Sequence, residues 1–134
     1  MKPAVIVARV LISLSGLALL ALGTLFWLGR ALTLLNLHIQ LGIVLVLCLW
    51  LLCGLALRTR VSRGLLLLVL GWSLLMPVFG ALQLRLLPGP YHWVIQVLHL
   101  AIGFAAVGLG HALARRVLAP EGPTAGSTFA VDEG

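Results

Sequence analysis

Residues 32–57 read LTLLNLHIQLGIVLVLCLWLLCGLAL, and this stretch decides the fold. A helix needs about 20 apolar residues to cross the hydrocarbon layer of a bilayer, and this run supplies them without a single Lys, Arg, Asp or Glu. Its polar groups are gathered toward one end, at Thr33, Asn36, His38 and Gln40, while the other end is Leu, Val, Cys and Trp.

Three further runs flank it: Ala4 to Leu28, interrupted by Arg9; Gly64 to Leu84, carrying Pro77; and Tyr91 to Leu113. The first is long for a signal peptide and has no clear small-x-small cleavage site, so it is read as a retained span. The connections at Gly29–Ala31, Arg58–Arg63 and Arg85–Pro90 are short, and short connections force antiparallel neighbours. The expected fold is therefore all-α: an integral membrane, up-down-up-down four-helix bundle over residues 1–119. A tail at 120–134, rich in Gly, Pro, Ser and Thr, is expected to be flexible and cytoplasmic.

Composition agrees. Of 134 residues, 62% are hydrophobic and 9% charged, with mean hydropathy +1.20. A soluble domain of that size could not cover itself with polar surface. All nine Lys and Arg precede residue 120, and the three acids are Glu121, Asp132 and Glu133. The basic residues stand singly or in short clusters at span ends, which suits topology signals and anionic lipid and argues against nucleic acid. Lys2, Arg9, Arg58, Arg60, Arg63, Arg115 and Arg116 fall on one side, Arg30 and Arg85 on the other. Seven against two puts both termini in the cytoplasm of a bacterial inner membrane. Trp27, Tyr91 and Trp93 then mark the outer interface.

Glycines recur at a spacing of seven in three spans: Gly16 and Gly23, Gly64 and Gly71, Gly103 and Gly110. Each pair shares a helix face and is expected to admit a neighbouring helix. Cys48 and Cys53 project from different sides of one helix and are read as small apolar fillers.

An ionisable residue inside a span is costly, so the histidines carry most of the functional information. His38 and His99 lie at similar depth in the outer half, on helices expected to run parallel across the bundle diagonal. Each is followed four residues later by glycine, in His38-Ile39-Gln40-Leu41-Gly42 and His99-Leu100-Ala101-Ile102-Gly103. That step places the glycine one turn deeper on the same face. An imidazole beside a missing side chain suits a flat macrocycle. Gln96, or a backbone carbonyl, is expected to accept the N–H of a ligating ring. His92 reads as interfacial and His111 as a wet residue near Arg115.

In these segments and in its bundle plan the chain resembles small four-helix b-type membrane cytochromes, and beyond that small bacterial four-span membrane proteins. The resemblance implies one haem b with His38 and His99 as iron ligands, Gly42 and Gly103 making room, and electron transfer as the activity. Gln40 and Gln96 would be polar groups of the same site, and a quinone would be the redox partner. Met76 is an alternative axial ligand. Members with two haems carry a second histidine pair, which this chain lacks.

Two other readings stand beside it. One is a non-catalytic accessory or scaffold subunit that meets partner membrane subunits or further copies of itself through glycine faces, its histidines bonded to carbonyls or glutamines. The other is a pocket for lipid or a small hydrophobic ligand, lined by Gln40, Gln96 and His99. No span contains a carboxylate, which disfavours proton-coupled exporters. No nucleotide loop, zinc spacing or nucleophile–base pair is present, so catalysis is not expected.

Overall fold

The computed structural model describes residues 1–119, so the expected tail at 120–134 lies outside the described residues. Four helices account for most of the chain: α1 (Lys2–Trp27), α2 (Leu35–Ala56), α3 (Arg63–Leu82) and α4 (His92–Leu118). Short 3₁₀ turns at Leu32–Leu34 and Gln83–Arg85 lead into α2 and out of α3. Among the described residues there is no strand. All four helices are long and apolar enough to cross a membrane.

Local chemistry sets the helix ends. Pro3 stands in the first turn of α1, where its missing N–H costs nothing. At the other end Gly29 adopts φ +69°, its N–H bonds to the Phe26 carbonyl and the Arg30 N–H bonds to Leu25. This left-handed cap needs a residue without Cβ, which is why α1 stops at a Gly-Arg pair. Pro77 leaves the Ser73 carbonyl without its helical donor, yet α3 continues to Leu82. α4 runs on past Leu113 to Leu118, so Arg115 and Arg116 stand on the helix rather than beyond it.

Side-chain pairings give the directions. Ile12 meets Gly110 and Gly16 meets Val107, so α1 and α4 are antiparallel. Phe26 lies against His38 across α1 and α2. The Trp50 indole donates to Ser73 Oγ at 2.8 Å, joining α2 to α3 antiparallel. Trp72 donates to the Ile102 carbonyl at 2.9 Å, joining α3 to α4 in the same sense. Leu49 meets Gly110 and His38 meets His99, two pairs with the same sequence offset, so α2 and α4 run parallel across the diagonal. The other diagonal, α1 to α3, makes no comparable approach. The helices therefore go up, down, up and down, with α2 and α4 forming the spine.

Packing is concentrated at one end. The end that carries Met1, the 57–62 connection and the last turns of α4 is the basic end. Its interior holds Val5, Ala8, Ile12, Leu49, Leu52, Ala56, Val69 and Leu113, all fully buried. Cys48 and Cys53 are free and buried there as fillers. Toward the distal end, burial thins to Leu22, Ile95 and Ile102.

The glycine expectation needs correcting. A Cβ at Gly16 would stand 2.7 Å from Val107, and one at Gly110 2.9 Å from Leu49 and 3.0 Å from Ile12, so these two do seat neighbouring helices. Gly64 and Gly71 have nothing within 4 Å, because α3 turns that face away from its neighbours.

Candidate functional site

The spine helices bring His38 and His99 together in the distal half. Their ring centroids are 6.3 Å apart, with planes inclined by 38°. The parallel course of α2 and α4 makes this possible: His38, in the first turn of α2, meets His99, about two turns into α4, at one level. Each imidazole is flanked by an aromatic ring from a different helix. Phe26 of α1 is 5.4 Å from His38, and Phe79 of α3 stacks on His99 at 6.0 Å and 14°.

Each ring also sits against a glycine of a neighbouring helix. A Cβ at Gly80 would lie 3.4 Å from Cε1 of His99, and one at Gly23 3.9 Å from Cε1 of His38. Gly42 and Gly103 play a different part: a Cβ at either would meet nothing within 4 Å, so both open onto free space one turn below the histidines.

The Nδ1 atoms of His38 and His99 are buried and have no hydrogen-bond partner. Leaving such an atom unpaired costs about 1–3 kcal/mol. Gln96, three residues before His99 and half-buried, leaves the ring Nδ1 unbonded, contrary to the expectation that it orients the imidazole. Gln40 is exposed and, two residues after His38, projects from the far side of α2. Asn36 is exposed with it, and Gln83 is half-buried in the turn after α3. Met76 packs against the interior of the basic end. His92 caps its own loop, with Nδ1 3.2 Å from the Leu86 carbonyl.

Two imidazoles offer a metal two donors. Among the described residues no three His, Cys, Asp or Glu side chains converge.

Sequence reasoning missed Phe26, Phe79, Gly23 and Gly80 as neighbours of the histidines. It also missed a second polar cluster. In the basic half, Arg9 Nε donates to His111 Nδ1 at 3.2 Å, and Ser13 Oγ lies 3.1 Å from His111 Nε2. His111, expected to be wet beside Arg115, is half-exposed, and α1 crosses α4 where Arg9 and Ser13, one turn apart on one face, both reach it. Comparison with family models, with curated proteins and with solved structures returned no match.

Proposed function

We propose that the chain crosses a bacterial inner membrane four times, with both ends cytoplasmic, and holds one haem b between His38 and His99 as an electron-transfer protein. The observation that carries this reading is the paired, unbonded imidazoles. If the two imidazoles held one metal between them, bonds of ~2 Å and about 1 Å from each nitrogen to its ring centre would set the centroids about 6 Å apart. The rings here are separated by 6.3 Å. Histidines serving as packing contacts should find carbonyls or amides, and the buried Nδ1 atoms find neither.

The surrounding residues suit that role. Phe79, stacked on His99, restricts rotation of its ring. Gly42 and Gly103 leave space where a planar ligand needs width. When bound, haem supplies one-electron chemistry that the side chains lack. The chain's own contribution is to hold two imidazoles at fixed separation, with Phe26 and Phe79 packed beside them. Gln83 and Gln96 offer half-buried amides at the same end, suited to the carbonyls of a quinone as redox partner.

The test is absorbance of the protein purified in mild detergent after expression with haem supplied. A Soret band is expected, lost in His38→Ala and in His99→Ala and kept in His111→Ala. No band in the wild type, or a band that survives the double substitution, overturns the reading. Membrane insertion is tested separately, by resistance to carbonate extraction and by reporters fused to either end.

A further inference from the structure

We infer that the Arg9–Ser13–His111 cluster is a binding site for the phosphodiester of an anionic glycerophospholipid, in the leaflet at the basic end. The inference depends on membrane insertion and is independent of haem.

The hydrogen bonds determine the proton positions. A guanidinium has only donors, so Arg9 Nε–H fixes His111 Nδ1 as an acceptor. Ser13 Oγ is committed as a donor to the Arg9 carbonyl at 3.1 Å. His111 Nε2 therefore carries the proton and donates to Ser13 Oγ across 3.1 Å. The imidazole is neutral and both its nitrogens are occupied. The loop closes on itself and holds the guanidinium by one edge.

The other edge of the guanidinium presents the Nη groups. A carboxylate is the usual partner, but the first 120 residues contain no Asp or Glu. A planar fork of N–H donors with no carboxylate beside it among the described residues matches a phosphate geometrically as well as electrostatically. Further positive charge lies close by. Arg115 follows His111 by one turn of α4, and Lys2 precedes Arg9 by nearly two turns of α1, on the same face. Arg9 lies seven residues above Lys2, or roughly 10 Å along the helix, just below the headgroup layer for a helix that starts at its outer edge, from where a long basic side chain reaches back to phosphate depth.

The surface beyond the cluster favours a lipid over a free anion. Leu17, two turns past Arg9 on the line through Ser13, is 67% exposed, and Phe104, two turns before His111, is 58% exposed. Between them Gly16 and Val107 bring α1 and α4 into contact. A ligand phosphate at Arg9 thus has an apolar wall running away from the basic end, where acyl chains would lie. Inorganic phosphate could use the fork but not the wall.

The test is lipid retention by the full chain, delipidated in neutral detergent and examined by native mass spectrometry and thermal melting. Phosphatidylglycerol, phosphatidylcholine and inorganic phosphate are added in separate arms. The expected result is that phosphatidylglycerol is retained and raises the melting temperature, while the other two do neither. Arg9→Gln should weaken retention by roughly tenfold or more, and Arg9→Lys, which keeps the charge and loses the fork, by an intermediate factor. Arg58→Gln, at the same end but in the 57–62 connection, should stay within about twofold of the wild type. His111→Ala should weaken retention less than Arg9→Gln, since it frees the guanidinium without removing it. Equal loss in Arg9→Gln and Arg58→Gln would reduce the site to general attraction between charges. Equal protection by phosphatidylcholine or by inorganic phosphate would overturn the anionic lipid. If Arg9→Gln does not fold, Arg9→Lys against Arg58→Gln still decides.

Discussion

The two ends of the bundle are built from the same kinds of residue and behave differently. Toward the basic end two glycines mark places where something already sits, Leu49 and Ile12 at Gly110 and Val107 at Gly16, although Gly64 on α3 stays open. At the distal end, Gly42 and Gly103 face empty space. Histidine shows the same contrast. His111 has both ring nitrogens engaged, whereas His38 and His99 each keep a buried nitrogen unpaired. One end completes its own packing and polar bonding, and the other leaves both incomplete. Stability should therefore reside in the first end and ligand capacity in the second, and substitutions can separate the two.

The largest effect on stability is expected at the spine of the packed end. Leu49 is fully buried and its Cδ2 fills the notch at Gly110. Leu49→Ala should cost about 3–5 kcal/mol, the range for a buried leucine whose cavity cannot collapse. The measurement is reversible unfolding in mixed micelles. A loss under 1 kcal/mol would mean that this end is no better packed than the other.

Gly110→Ala tests the same notch from the opposite side. The new Cβ would press on Leu49 and Ile12, and overpacking of this kind costs about 1–3 kcal/mol. Gly103→Ala, seven residues away on the same helix, should leave the haem-free protein unchanged within about 0.5 kcal/mol. If the two substitutions have equal effects, the contrast between filled and open glycines is wrong.

Much of this could be read from the sequence, and what escaped has a physical cause. Hydropathy and the short connections were enough to mark four helices and their alternation, because each run must hide its backbone and each loop is too short to cross over. The depth of His38 and His99 followed from rise per residue alone. Which neighbour lies beside each ring did not, because that depends on how α1 and α3 are rotated about their axes. Hence Gly42 and Gly103 were legible as gaps, while Gly80 and Phe79 were not legible as walls. Arg9 was read only as a charge on the cytoplasmic side, because a topology count ignores which way a side chain points. Trp50, Trp72 and Ser73 were missed for the same reason: their bonds tie α3 to both spine helices, and the pairings exist only once the rotation is fixed.

Ser73→Ala gives a smaller effect, at the boundary between the two ends. Ser73 Oγ donates to the Leu70 carbonyl at 2.7 Å and accepts from Trp50 Nε1 at 2.8 Å. Removing the hydroxyl leaves the indole N–H without its partner, yet side-chain hydrogen bonds between membrane helices average only about 0.6 kcal/mol. A loss of about 0.5–1 kcal/mol is expected in the same unfolding measurement. Trp50→Phe should give a similar loss, and the double substitution should add little to either. Fully additive losses would show that the bond does not couple α2 to α3.

Little change in stability is expected where the change in function is greatest. His99→Leu removes a half-buried ring whose Nδ1 has no partner and substitutes an apolar side chain in an apolar helix. The penalty of the unpaired nitrogen disappears, and the stacking on Phe79 is lost with it. These two contributions are each on the order of 1 kcal/mol and opposite in sign, so the haem-free protein should be unchanged within about 1 kcal/mol. The same substitution should abolish haem binding. His111→Leu should do the reverse, leaving the Soret band intact and costing about 1–2 kcal/mol, because it strips the acceptor from Arg9 and the donor from Ser13. If His99→Leu proved as destabilising as His111→Leu, His99 would be holding the helices together rather than waiting for a ligand. The distal end would then be a second packed core whose partners lie outside this chain.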